Sequence, residues 1–189
     1  MEEIINKSIN DHKKVIEELI LQVPTIKKVA QLFISTLENK GKIIFMGNGG
    51  SAADAQHLAA ELVGRFKKER RPLAAISLSV NTSILTAIGN DYGFEDVFSK
   101  QIQALTKKED LVVGISTSGK SKNVIKAIEK AKELGIITVG FLGKDGGILK
   151  DLVDVALIVP HFDTPRIQEM HILIGHIICE IVEDCLFSR

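Results

Sequence analysis

The 189-residue sequence has no tryptophan, one tyrosine, two cysteines and four prolines. Two cysteines cannot build a disulfide scaffold. At positions 179 and 185 of one apparent helix they also lack metal-ligand spacing, so reduced structural thiols are expected. Charge of one sign is missing too. The 24 Lys and Arg balance the 24 Asp and Glu, which removes the global field that nucleic-acid or membrane-surface binding exploits. Apolar runs are interrupted within about ten residues, too short to span a bilayer. The first ten residues are charged and have no apolar signal core, so a cytoplasmic location is expected. With 15 glycines, and apolar residues at 45%, neither a collagen-like nor a low-complexity chain fits, and a single globular domain over 1–189 is expected.

The apolar residues that are present fall into a clear order. Residues 3–22 and 25–39 carry them at helical spacing (Ile4, Ile5, Ile9, then Val15, Ile16, Leu19, Ile20) and are separated by Pro24. After Gly41 short apolar runs take over, at 42–46, 73–78, 110–115, 136–142 and 153–160. Helical patterns follow them at 52–65, through 105, at 123–134 and at 165–186. Strands alternating with helices predict a parallel sheet covered on both faces. Five strands in this rhythm predict a three-layer, flavodoxin-like α/β fold of strand order 2-1-3-4-5, with N-terminal helices over 1–40 and a long C-terminal helix. In that order strands 1 and 3 are neighbours whose connections leave on opposite faces, where ligands bind at the carboxyl ends. The two loops richest in Gly and Ser, 47–51 (GNGGS) and 116–121 (STSGKS), follow those two strands.

Each loop resembles a nucleotide motif, and each falls short of it. Residues 47–52 fit G-x-G-x-x-A, but the second strand ends Ser77-Leu78-Ser79, without the acid that a dinucleotide ribose needs. Residues 114–121 fit G-x-x-x-x-G-K-[ST], but Asp163 alone is placed to hold magnesium, with Pro160 and His161 intervening. The hydroxyls of Ser116, Thr117, Ser118 and Ser121, at a helix N-terminus, better suit one terminal phosphate monoester.

His57 and Glu61 are i, i+4 on the helix that follows GNGGS, so both project from one face. Carboxylate and imidazole can bind a divalent metal or divide base and acid roles. Gln168, His171 and His176 interrupt the apolar stripe of the last helix and need partners there. Gln168 and His176 would be about 12 Å apart along one helix axis, a stretch for one ion. Either Gln168 belongs to the preceding loop, or chains share the site. Residues 64–71 hold five basic residues in eight, read as a solvated run closing a helix, with Arg65 able to reach a phosphate. His12 is expected to be exposed, and Lys120 to face solvent.

Taken together, GNGGSA-x-D-A-Q-H-x-x-A-E, the later GNDYGFEDVFS at 89–99, GISTSG-x-S, the GKDGG turn and R-I-Q-E-x-H-x-x-x-x-H resemble the phosphoheptose isomerases, enzymes of the sugar isomerase (SIS) domain family. The resemblance runs from Gly41 to the C-terminus, with N-terminal helices of matching length. It implies an aldose–ketose isomerase that converts sedoheptulose 7-phosphate to D-glycero-D-manno-heptose 7-phosphate through an enediolate, feeding lipopolysaccharide-type glycoconjugates. It further implies substrate contacts from Asn48, Gly49, Gly50, Ser51, Glu61, Asn90, Asp91 and Gln168, and a phosphate clamp of Ser116, Thr117, Ser118 and Ser121. Zinc is implied, one ion per subunit on His57, Glu61, Gln168 and His176, with Glu61 and His176 the catalytic pair. A cytosolic homotetramer with sites at subunit interfaces, its 1–40 helices used in packing, completes the expectation. Two alternatives stand beside it, a non-catalytic sugar-phosphate-binding regulator of the same fold and an isomerase of another sugar phosphate.

Overall fold

The computed structural model describes residues 1–188. Helix α1 (Glu2–Leu19) runs through a short 3-10 turn (Ile20–Gln22) into α2 (Val23–Glu38). Pro24 falls in the first turn of α2, where its missing N–H has no intrahelical partner to lose. Then come β1 (Ile43–Gly47), α3 (Gly50–Val63), β2 (Ala75–Ser77), α4 (Thr82–Asp91), α5 (Ser99–Leu105), β3 (Leu111–Ser116) and α6 (Lys122–Glu133). Finally β4 (Ile137–Gly143), the one-turn α7 (Leu149–Leu152), β5 (Val155–Val159) and α8 (Thr164–Phe187) complete the chain.

The five strands form one parallel sheet in the order β2-β1-β3-β4-β5, as expected. The pleat divides each strand's residues between two cores. Ile43, Phe45, Val113, Ile115 and Phe141 pack with α2, α3 and α8, while Ile44, Met46, Val112 and Leu142 pack with α5 and α6. Burial on both faces explains why the strands read as unbroken apolar runs instead of alternating ones. The stretch between β2 and β3, expected to be helical through 105, is broken. Gly93 at φ +96 ends α4, and a 3-10 turn (Phe94–Asp96) leads into α5.

Register places the site. Gly47 pairs with Ile115, so β1 and β3 end side by side. Helix α3 leaves on one face and α6 on the other, which opens the expected crevice between the two glycine- and serine-rich loops.

Candidate active site

Gly49 caps α3 at φ +55, a left-handed conformation that costs a residue with a Cβ about 1 kcal/mol or more. It lets the chain turn from β1 into the helix within two residues. Ser51 N–H bonds back to the Asn48 carbonyl at 3.0 Å, and the Ser51 side chain is buried under the turn. Across the crevice, Ser116 and Ser121 share a hydroxyl bond of 2.9 Å, and the Gly119 N–H donates to Ser116 Oγ at 3.1 Å. Ser118 Oγ accepts from the Lys120 N–H at 3.2 Å. Thr117 and Ser118 are half-buried and Lys120 is exposed, as expected for it.

Two links sequence reasoning did not find make these loops one surface. Asn48 and Asn123 exchange side-chain amide bonds at 2.9 and 2.8 Å, joining the start of α3 to the start of α6. Asn123 is buried, and a lone Asn early in a helix carries no sequence signal for such a partner. Beside them, a Cβ on Gly119 would lie 1.9 Å from the Gly146 carbonyl oxygen. The STSG loop and the GKDGG turn therefore touch backbone to backbone, tied by Leu149 N–H to Gly119 O at 3.1 Å.

At the far end of α3, His57 Nε2 lies 3.0 Å from Glu61 Oε1 and 3.3 Å from His176 Nε2. The three donor atoms lie within 4.8 Å of one another. One imidazole nitrogen carries either a proton or a lone pair, so His57 cannot fully satisfy both neighbours. A cation among the three atoms would. Ligands about 2.0–2.1 Å from a tetrahedral ion stand about 3.3 Å apart, so a His–Glu–His set at these spacings fits a divalent metal. The two rings meet edge-on, centroids 5.0 Å apart, and Phe66 stacks on the other side of His176 at 5.4 Å. Burial, then the neighbouring His57 charge, lowers the His176 pKa, opposed by Glu61. Asp54, one turn before His57, has a buried Oδ2 without a hydrogen-bond partner, and burial pushes its pKa up to about 6 against the pull of His57.

Gln168 stands apart from this cluster. It lies inside α8, which removes the reading that placed it in the preceding loop, and a Cβ on Gly50 would fall 2.3 Å from its Nε2. It thus covers the GNGGS turn, about 12 Å along the axis from His176. Asn90 and Asp91 are exposed at the end of α4, bonded to each other at 2.8 Å. Arg65 is exposed beside Glu69 at 3.7 Å. His171 is fully buried and donates to or accepts from nothing in the crevice; its Nε2 meets the Leu142 carbonyl at 3.0 Å.

Two expectations are corrected. His12 is not simply exposed but pairs with Glu169 at 2.6 Å. The basic run at 64–71 is not wholly solvated either, because Arg70 turns inward to Glu183, with side chains 1% and 2% exposed. A buried acid two turns further along α8 gives that arginine a partner, and no local pattern announces the pairing. Of the cysteines, Cys179 is buried, where desolvation pushes its thiol up to about 12, while Cys185 is exposed.

With this geometry in place, comparison with known proteins is direct. Residues 7–143 match the model of the SIS domain family. A phosphoheptose isomerase of Nitratiruptor sp. is 57% identical over 97% of this chain and 99% of its own length. That of Geotalea daltonii is 58% identical over 100% and 99%. The solved phosphoheptose isomerase of Neisseria gonorrhoeae superposes with a TM-score of 0.92 at 44% identity, covering 97% of this chain and 98% of that one. The chain belongs to the phosphoheptose isomerases of the SIS domain family.

Proposed function

We propose that this isomerase moves the carbonyl of sedoheptulose 7-phosphate from C2 to C1, yielding D-glycero-D-manno-heptose 7-phosphate for lipopolysaccharide-type glycoconjugates. The observation that carries the reading is the convergence of a carboxylate and two imidazoles where the C-terminal half of α3 meets the middle of α8, on a fold whose crevice is lined by hydroxyls. Transfer of a carbonyl needs a base for a carbon-bound proton and an acid for the enediolate oxygen. Glu61 Oε1 faces His57, which leaves Oε2 to take the proton from C1 and return it to C2. His176, beside His57 and Glu61, is the acid of the pair and passes a proton between the two sugar oxygens. A pure binding module needs only the phosphate loop, so the His57–Glu61–His176 cluster favours catalysis over regulation.

Ser116, Thr117, Ser118 and Ser121 hold the phosphate at the N-terminus of α6, and Asn48, Gly49, Gly50 and Ser51 face the sugar. The metal held by His57, Glu61 and His176 is zinc, one per subunit, and when bound it supplies Lewis-acid stabilisation of negative charge on the sugar oxygens. Gln168, a turn or more too far up α8 to reach its own His176 cluster, completes such a site from another copy of the chain, and Asn90 and Asp91 are brought in the same way. The enzyme is accordingly a homotetramer acting in the cytoplasm. Its N-terminal helices carry exposed Ile5, Ile9, Ile16 and Ile20 on one face, and among the described residues no helix is long and apolar enough to cross a membrane.

Glu61→Gln tests the assignment, since it keeps the shape and removes the basic lone pair. The variant should still bind sugar phosphate while kcat falls by about a thousandfold or more. Exchange of the C1 or C2 proton with deuterated solvent should stop as well. Wild-type exchange in Glu61→Gln would place the base elsewhere.

A further inference from the structure

The Arg70–Glu183 pair is unusual in being both ionic and closed to solvent. A buried ion pair stabilises a fold no better than apolar groups of the same volume, so its geometry is the more informative property. All three guanidinium nitrogens donate directed bonds. Nη2 donates to the Glu61 carbonyl at 2.8 Å, Nη1 to the Leu62 and Gly64 carbonyls at 2.8 and 2.9 Å, and Nε to Glu183 at 2.8 Å. Those carbonyls close α3, where the helix has no partners of its own to offer them. Glu183 in turn accepts the successive backbone N–H groups of Phe66, Lys67 and Lys68 at 2.8, 2.8 and 3.0 Å. Desolvation pushes the Glu183 carboxyl up, but these three donors and Arg70 outweigh it and hold its pKa below the usual range, so the carboxylate stays charged.

The network touches both helices that carry the site. Glu183 is seven residues beyond His176, two turns away on the same face of α8. Arg70 grips the backbone of Glu61 itself. Phe66, held by Glu183 through its N–H, lays its ring on the His176 imidazole at 5.4 Å and 28°. We propose that Arg70 and Glu183 are positioning residues for the His57–Glu61–His176 centre, fixing the end of α3 and seating the Phe66 ring that orients His176.

This inference rests on Glu61 and His176 being the catalytic pair, so the test includes Glu61→Gln as its reference. Arg70→Lys, Glu183→Gln, Phe66→Leu and Phe66→Tyr are assayed on sedoheptulose 7-phosphate, each well below its own melting temperature by circular dichroism. Lysine cannot reproduce the guanidinium fork of Arg70. For Arg70→Lys, Glu183→Gln and Phe66→Leu, kcat should fall about 10–100-fold with KM changed by less than about threefold, as for residues that orient first-sphere groups. Phe66→Tyr keeps the stacking ring and should retain kcat within about threefold of wild type. If the Arg70 or Glu183 variants do not fold, the Phe66 pair decides. Unchanged kcat in Phe66→Leu, or an equal loss in Phe66→Tyr, overturns the positioning role while an inactive Glu61→Gln leaves the catalytic assignment intact. Turnover retained by Glu61→Gln overturns both.

Discussion

His171 and His176 stand five residues apart on α8 and live in opposite surroundings. His176 meets two groups from α3, His57 and Glu61, whereas His171 is sealed against Leu142 and Phe141 in the core. Spacing within the R-I-Q-E-x-H-x-x-x-x-H motif singled out His176, and only packing reveals why His171 is excluded. Desolvation, opposed by the bond to the Leu142 carbonyl, lowers the His171 pKa to about 4 from an ordinary 6.5. The folded chain therefore holds a neutral imidazole where the unfolded chain takes up a proton. Its contribution to stability is complete above pH 6.5 and is lost as the pH falls from 6.5 to about 4, an effect of about 3 kcal/mol. His171→Gln keeps a donor for Leu142 without titrating. Urea unfolding at fixed protein concentration should show its stability flattened against pH across that window by nearly one proton. An unchanged slope would mean that His171 is not the group responsible.

At the scale of elements, the two loops at the carboxyl ends of β1 and β3 were legible because glycine and serine concentrate there. Their joining was not. The Asn48–Asn123 amide pair and the contact of Gly119 with Gly146 link residues 75 and 27 positions apart, beyond any local pattern. The same limit hid the break between α4 and α5, where apolar spacing continues through a turn that Gly93 imposes. The serine loop carries its own prediction. Ser118→Ala combined with Ser121→Ala removes hydroxyls that bond to Lys120 N–H and Ser116, leaving the His57–Glu61–His176 cluster untouched. KM for the sugar phosphate should rise by about tenfold or more, with metal content unchanged by metal analysis. Metal lost in parallel would show that the loop and the His57–Glu61–His176 cluster are not separable.

For the whole molecule, α1 shows two stripes. Val15 and Leu19 are buried against the body, and Ile5, Ile9 and Ile16, continued by Ile20 in the 3-10 turn, lie exposed along another face. An apolar stripe of this length on a 20.7 kDa chain calls for a partner, and a second copy is the one that the proposed shared site would take. Ile9→Lys together with Ile16→Lys should lower the mass seen by light scattering toward a single chain and abolish turnover with it. Full activity at the monomer mass would refute the shared site. What the sequence by itself determined was the order of strands and helices, the crevice between β1 and β3, and the chemical types gathered there, because periodicity and loop composition are local properties. Tertiary structure alone decided which histidine faces the core, which arginine of a basic run turns inward, and how α3 and α8 bring three ligand atoms together. Those outcomes depend on desolvation and on partners 29 to 119 residues away, and such contacts leave no periodic trace in the chain.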